Sequence, residues 1–228
     1  MKESIYTIPV SEVFEPRCGC PLCRLRDTLE DRVVDYITGA AMMEPDVRIE
    51  TNKKGFCIEH YRMLLKKRNR LGVALMLETH LAEIEHQVFE GLPLLGKAAG
   101  KQAASASRAA DTCFVCDKIA DTMERYVDTI FYMYKHDKEF KDVLSKCKGF
   151  CTSHYGLLMK KSSEKLGGND YTEFTNLITT LYLDNMKRVR DDVEWFINKF
   201  DHKYADAPWK NAKDSLVRAT LKDTGCKL

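Results

Sequence analysis

Apolar residues recur at steps of three and four positions along most of the chain, the spacing that places side chains on one face of an α-helix. Leu25, Leu29 and Val33 follow this period, and they predict a helix from Cys23 to Gly39. The same period predicts the remaining helices: one from Gly55, one over 70–91, one from Cys116 to His136, one over 138–146, one over 149–168, one over 171–200 and one from Pro208.

Three stretches depart from this period. "EPDVRIETNKK" (44–54) is interpreted as a turn-rich connection, and "GLPLLGKAAGKQAASASRAAD" (91–111) is small, polar and rich in glycine, as linkers are. Only a few residues of "SIYTIPV" (4–10) alternate as a strand does. The pattern therefore predicts an all-α fold, a helical bundle of two halves followed by a long C-terminal helical extension.

The two predicted halves contain the same pair of sequence motifs. "CPLC" (20–23) followed by "GFCIEHY" (55–61) returns as "CFVC" (113–116) followed by "GFCTSHY" (149–155). This internal repeat predicts a first zinc-binding half over 1–92, a linker over 93–110 and a second zinc-binding half with the C-terminal helices over 111–228. The two halves together could also form one compact domain.

Each half carries a Cys-x-x-Cys pair and a Cys-x-x-His pair at the start of a predicted helix. Residues i and i+3 share a helix face, so two such starts can surround one metal ion. Three thiolates and one imidazole are a typical ligand set of structural zinc. The sequence predicts two Zn²⁺ per chain, and the predicted ligands are Cys20, Cys23, Cys57, His60, Cys113, Cys116, Cys151 and His154. We expect each half to bind its own ion, although spacing alone also allows sites that exchange pairs between the halves.

Other interpretations of the same residues explain less. A redox dithiol at "CPLC" requires flanking strands and leaves the Cys-x-x-His pairs unexplained. "HLAEIEH" (80–86) resembles half of a di-iron motif, but a solvated helix face is favoured. The basic run over 62–70 is either a nucleic-acid surface or a complement to the helix dipole, and we favour the dipole. Cys18, Cys147 and Cys226 have no counterpart in the repeat.

Composition narrows the classes of function. Lys and Arg number 36 against 34 Asp and Glu, and a net charge of +2 argues against a general polyanion binder. The start "MKESIYTIPVSEVF" has no apolar signal region, and no later run approaches the ~18 apolar residues of a membrane span. We therefore expect a cytoplasmic location, in which nine cysteines do not form a disulfide framework. No nucleophile with its base and no glycine-rich phosphate loop supports an enzyme.

The repeated motifs, together with "YTIPV", "AMMEPDVRIETNKKGFCIEHY" and "NRLGVALMLETHL", resemble a family of uncharacterised bacterial proteins, a domain of unknown function. This resemblance implies no established activity. Two functional hypotheses follow from the residues. The first is a helical scaffold that is held by structural zinc and binds a protein partner, and the second is a thiol-based redox or zinc sensor.

Overall fold

The computed structural model describes residues 5–14, 19–89 and 99–225, and within these ranges it is all-helical, with eleven α-helices, two 3₁₀ helices and no strand. The α-helices are α1 (Thr7–Val13), α2 (Pro21–Thr38), α3 (Pro45–Lys54), α4 (Ile58–Lys66), α5 (Arg70–Phe89), α6 (Ala99–Ala110), α7 (Phe114–His136), α8 (Lys138–Ser145), α9 (Thr152–Lys165), α10 (Gly168–Asn198) and α11 (Ser215–Thr224). The 3₁₀ helices are Ala40–Met43 and His202–Tyr204. The predicted all-α fold is confirmed.

The chain forms two compact units that do not follow the repeat. Unit 1 comprises Met1–Asp27 and Thr122–Leu228, and unit 2 comprises Thr28–Asp121. The boundaries fall inside α2 and α7, whereas the division predicted from the repeat lies at 93–110. Each unit therefore combines the Cys-x-x-Cys pair of one repeat with the Cys-x-x-His pair of the other.

Unit 1 has an aromatic core. Phe14, which follows α1, is fully buried, and its ring meets the rings of Phe140 and Phe150 at centroid distances of 5.2 and 6.3 Å. Phe174 on α10 lies 5.0 Å from the ring of Phe131 on α7. Helices α9, α10 and α11 pack against one another. These contacts fix the start of α9, which carries one Cys-x-x-His pair.

Unit 2 has an aliphatic core. Val34 and Ile37 on α2, Leu64 on α4 and Met76 on α5 are almost completely buried. Helix α3 packs against α5, and α5 also packs against α6. The side chain of Asn69, in the turn between α4 and α5, donates to the carbonyl oxygen of Thr38 at 2.9 Å and joins this turn to the end of α2. Unit 2 thus holds the second Cys-x-x-His pair at the start of α4.

All three stretches that lacked a helical period contain helix, and the two longer ones contain α3 and α6. Helix α3 replaces the turn-rich connection: Pro45 begins it, Asp46 lies in its first turn, and basic residues in its last turn complement the helix dipole. Its apolar period is weak because its buried side chains are only Val47 and Thr51. Helix α6 occupies 99–110 of the predicted linker, where alanine favours helix, and residues 90–98 lie outside the described ranges.

The remaining differences lie at helix boundaries. Residues 7–13 form helix α1 rather than part of a strand. The last helix begins at Ser215, seven positions after Pro208. Helix α10 begins at Gly168, three positions before the predicted start at 171. None of the described helices is long and apolar enough to cross a membrane.

Candidate metal centres

The eight predicted ligands gather in two clusters, and in each cluster the ligand atoms lie within 4.8 Å of one another. Cluster 1 lies in unit 1 and consists of Cys20, Cys23, Cys151 and His154. Cluster 2 lies in unit 2 and consists of Cys57, His60, Cys113 and Cys116. Each cluster offers three thiols and one imidazole, and each could hold a metal ion.

The expected assignment of one site to each half is wrong, because both clusters exchange pairs between the repeats. The reason is the length of the intervening helices. Helix α2 has 18 residues and carries the chain about 27 Å away from Cys20, whereas α3 has 10 residues and covers only about 15 Å. Helix α7, with 23 residues, is likewise about three times as long as α8, with 8. The chain does not return to its own Cys-x-x-Cys pair before it reaches the Cys-x-x-His pair.

The ligand atoms of cluster 2 stand at the corners of a tetrahedron. His60 Nδ1 lies 3.1 Å from Sγ of Cys57, 3.2 Å from Sγ of Cys113 and 3.5 Å from Sγ of Cys116. The Sγ atoms of Cys57 and Cys116 are 3.9 Å apart. Zn–S bonds of about 2.3 Å and Zn–N bonds of about 2.0 Å at tetrahedral angles give edges of about 3.8 Å between sulfurs and about 3.5 Å between sulfur and nitrogen. The distances in the cluster are therefore close to those of a tetrahedral metal site with thiolate and imidazole ligands.

Cluster 1 has the same geometry. His154 Nδ1 lies 3.1 Å from Sγ of Cys151, 3.4 Å from Sγ of Cys23 and 3.5 Å from Sγ of Cys20. The Sγ atoms of Cys23 and Cys151 are 3.7 Å apart. In both clusters the imidazole uses Nδ1, and the ligands that meet are far apart in sequence.

All four ligand pairs lie at the start of a helix. Cys57 and Cys151 are the N-cap residues of α4 and α9, and Cys20 and Cys113 directly precede α2 and α7. The backbone N–H groups of His154 and Cys116 lie 3.5 Å from the thiols of Cys151 and Cys113, and they can donate to them. Because helix N-termini favour negative charge, they suit a zinc ion with three thiolates, which carries one net negative charge.

The glycine of each "GFC" motif is required by its backbone. Gly55 has φ +56°, and a Cβ atom there would lie 2.0 Å from Nε2 of His80. Gly149 has φ +104°, and its Cβ would lie 2.6 Å from the carbonyl oxygen of Leu181. Residues that carry a side chain rarely adopt such φ values, and neither position has room for a Cβ atom. The glycines thus allow the chain to turn into the ligand pair.

A carboxylate orients the imidazole of cluster 2. Glu30 Oε1 lies 2.9 Å from His60 Nε2, so the Nε2–H group donates to Glu30 while Nδ1 faces the thiols. Carboxylate partners of this kind fix the tautomer of metal-binding histidines. Sequence reasoning did not assign this role to Glu30, although "DTLE" (27–30) returns as "DTME" (121–124). The repeat equivalent, Glu124, bonds Lys161 instead.

The two clusters differ in the hydrogen bonds that hold the segment before each Cys-x-x-His pair. In cluster 2 the Phe114 N–H donates to the Gly55 carbonyl at 2.9 Å. The repeat equivalent of Phe114 is Pro21, which has no N–H to donate. In cluster 1 the buried Lys222 of α11 donates instead, to the Phe150 carbonyl at 2.6 Å. Gly225, just after α11, is close enough that a Cβ would lie 2.7 Å from Cys151 Sγ.

Crowding of the thiols changes how readily they lose protons. Hydrogen bonds to Cys151 and Cys23, followed by burial, raise the pKa of Cys20 far above its usual range. Desolvation, followed by the neighbouring Cys113 and Cys57 thiols, raises the pKa of Cys116 to about 12. A metal ion must therefore displace protons from these thiols, and it supplies the positive charge that lets them ionise together.

The pKa of the histidine in cluster 1 is also raised. Burial disfavours the charged form of His154, but hydrogen bonds to Cys151 and Cys23 favour it, and the balance raises its pKa to about 9. Burial also lowers the pKa of Lys222 to about 8.

The other candidates from the sequence do not form sites within the described residues. His80 is buried and its Nδ1 lies 2.6 Å from the Asn52 carbonyl, so the solvated face expected over 80–86 is incorrect at this residue. His80, Glu83 and His86 do not join either metal cluster. Two basic residues in the run over 62–70 form ion pairs, Arg62 with Glu59 and Lys67 with Asp35, which weakens the nucleic-acid interpretation. Cys147 is buried, and Cys18 and Cys226 lie outside the described ranges.

The chain belongs to a family of unknown function, DUF6062, which matches residues 1–227. The resemblance expected from the duplicated motifs is thereby confirmed at the level of the family. No curated protein and no solved structure matches the chain.

Proposed function

We propose that this member of the DUF6062 family is a scaffold protein whose two units are each held by one structural Zn²⁺. The crossed ligand sets carry the proposal, since each cluster joins helix starts that are distant in sequence. Cys23 and Cys151 are 128 positions apart and Cys57 and Cys116 are 59 positions apart. An ion at each cluster would tie these segments together, and its binding energy would become folding energy.

Zinc is the ion that these ligands suit best. Tetrahedral sites with thiolate and imidazole ligands favour zinc, whereas calcium and magnesium require oxygen. Four protein ligands also leave no open position for a substrate, which is typical of structural rather than catalytic zinc. A reducing cytoplasm, which we propose as the location, keeps such thiols available for the metal.

Elemental analysis of protein purified without added metal tests the proposal. We expect two zinc ions per chain, and about one after Cys57→Ser or Cys151→Ser. Substitution with Co²⁺ should give the visible absorption of tetrahedral thiolate coordination in both sites. Metal content near zero with full helicity would contradict the proposal, as would stoichiometric iron.

The partner of this scaffold is proposed to be a protein that offers an apolar surface to α5. Leu71, Leu75, Leu81 and Phe89 on this helix are exposed by 70, 44, 55 and 50 %. At about 3.6 residues per turn they fall within an arc of about 120°. Exposed apolar patches of this kind mark interaction surfaces.

The double variant Leu71→Gln, Leu75→Gln tests the partner, with Gln87→Ala as a control at an exposed position on the same helix outside this arc. Both variants should keep two zinc ions and full helicity. We expect the double variant alone to lose a protein that the wild type captures from native extract. Equal capture by both variants would contradict the assignment of the surface, and a dimer that dissociates only in the double variant would identify a second copy as the partner.

A further inference from the structure

The two clusters are unequal in exposure, although they share ligands and geometry. In cluster 1 Cys151 and His154 are each 1 % exposed, and Cys20 and Cys23 are half-buried. In cluster 2 Cys116 is exposed and Cys57 is half-buried, while Cys113 and His60 are buried. Cys116 is thus the only exposed ligand in the two clusters. A reagent in solution can reach its sulfur without opening the fold.

The C-terminal helix accounts for part of this difference. Besides its bond to Phe150, Lys222 donates to the Tyr182 carbonyl at 3.2 Å, and its ammonium group lies 3.8 Å from the centre of the Tyr182 ring. The hydroxyls of Thr152 and Ser153, at the start of α9, donate to the carbonyls of Lys222 and Thr224. These hydrogen bonds hold α11 against the start of α9, which supplies Cys151 and His154.

From this asymmetry, which rests on the proposed zinc sites, we infer that cluster 2 is a thiol oxidation site at which hydroperoxides oxidise Cys116 and Cys57 then forms a disulfide with it. Zinc keeps both sulfurs as thiolates, the form that acts as a nucleophile. The two sulfurs are 3.9 Å apart, so a modest movement brings them to the ~2.05 Å of a disulfide bond.

The chemistry balances in two steps. The Cys116 thiolate attacks the terminal oxygen of the hydroperoxide, the O–O bond breaks, and the leaving oxygen departs as hydroxide or alkoxide. Sulfur gives up the electron pair and becomes a sulfenic acid. The Cys57 thiolate then attacks the Cys116 sulfur, the S–S bond forms, the S–O bond breaks and hydroxide leaves. Only Cys113 and His60 remain as ligands, and cluster 2 releases its ion.

The consequence is a difference between the two units. Loss of zinc at cluster 2 replaces the four-ligand link between the starts of α4 and α7, both in unit 2, with the Cys57–Cys116 disulfide alone, and it frees Cys113 and His60. Cluster 1 keeps its ion and holds unit 1 unchanged. A thiol reductant reverses the change because it restores both thiolates.

The test exposes zinc-loaded protein to hydrogen peroxide, follows zinc release with a chromogenic chelator and maps disulfides by mass spectrometry. We expect one of two ions to be released at least tenfold faster than the other, together with a Cys57–Cys116 disulfide. Simultaneous release of both ions, or faster release from cluster 1, would overturn the inference, as would release without this disulfide. Protein that contains no zinc before peroxide is added would instead overturn the proposed zinc sites themselves.

A pair of lysine variants tests the role of α11. Lys222→Met removes the two hydrogen bonds that the Lys222 ammonium donates, and Lys213→Met makes the same change at an exposed lysine just before the helix. We expect Lys222→Met alone to speed zinc release from cluster 1 toward the rate of cluster 2. An unchanged rate in a folded Lys222→Met protein would overturn the part of the inference that assigns protection to α11.

Discussion

Glu30 holds His60 in place: Oε1 of the carboxylate lies 2.9 Å from Nε2 of the imidazole, and the opposite ring nitrogen faces three thiols. His60 is 2 % exposed, so this hydrogen bond lies largely away from water. Glu30 is thus a positioning residue, which acts on a bound ion only through the histidine. The relationship also shows that α2, which begins with ligands of cluster 1, supports a ligand of cluster 2.

Glu30→Ala should weaken zinc binding at cluster 2 by about ten- to a hundredfold, the usual effect of losing such a partner. Glu30→Gln keeps an acceptor and should lose less. Glu124→Ala is the matched control, because Glu124 is the repeat equivalent and bonds the exposed end of Lys161. Competition with a chelator of known affinity measures the change. An equal loss in the Glu124 variant would contradict a specific role for Glu30.

Removing one ligand should loosen only the unit that contains its cluster. Cys57→Ser should lower hydrogen-exchange protection within Thr28–Asp121, and Cys151→Ser within Met1–Asp27 and Thr122–Leu228. Each loss should cost several kcal/mol, the scale of a lost structural metal ligand.

Hydrogen exchange followed by mass spectrometry on the two variants measures these effects. The decisive peptide covers Cys20 and Cys23. Its protection should fall in Cys151→Ser and stay unchanged in Cys57→Ser, since crossed clusters predict this pattern. The reverse pattern would show that each repeat closes its own site.

Two glycine substitutions should change stability in opposite directions. Gly55→Ala places a methyl group against the His80 ring at φ +56°, and it should cost about 2 kcal/mol or more. Gly156→Ala lies within α9 with nothing within 4 Å of the new Cβ, and it should stabilise by about 1 kcal/mol. Urea unfolding of the zinc-loaded variants measures both changes. A neutral Gly55→Ala would contradict the close contact with His80.

The stability of the metal-free protein should fall as pH rises. The raised pKa values of Cys20, Cys113 and Cys116 mean that the folded protein holds these protons more tightly than the unfolded chain does. The raised pKa of His154 has the same sign. Its stabilisation is fully present below the unfolded pKa of about 6.5 and is lost as pH rises through about 9. The thiol contribution declines further above about pH 8.5, the usual thiol pKa.

Zinc-loaded protein should not show this decline, since its ligands are already deprotonated. The difference in unfolding free energy between the two forms should therefore widen from pH 7 to pH 10. Denaturant unfolding of both forms at several pH values measures it. A metal-free protein that becomes more stable over this range would contradict the proton linkage.

The sequence was sufficient to predict the helices that have an apolar period and the ligands that have a characteristic spacing. Helices α2, α7 and α10 carry such periods, and the Cys-x-x-Cys and Cys-x-x-His pairs identified all eight cluster residues. Helix α3 was missed because its stability comes from Pro45, its end charges and contacts with α5 rather than from an apolar stripe. Helix α6 was missed because alanine, serine and glycine also compose linkers.

The pairing of ligands could not be read from spacing, because it depends on where the intervening helices lead. The 33 residues between Cys23 and Cys57 could have folded back on themselves. Instead α2 takes up nearly half of the interval, from Arg24 to Thr38, in one direction. The role of Glu30 could not be predicted either, because it depends on the contact between this side chain on α2 and the His60 ring on α4.

The crossing of the two ligand sets also orders events during synthesis of the chain on the ribosome. Cluster 2 has all its ligands as soon as Cys116 has emerged. Cys20 and Cys23 are made first, yet they must wait for Cys151, which is 128 positions after Cys23. At about 5–20 residues per second this interval lasts about 6 to 26 seconds. The first ligands to be synthesised therefore belong to the cluster that is completed last. Their thiols can mispair for longer than those of any other ligand.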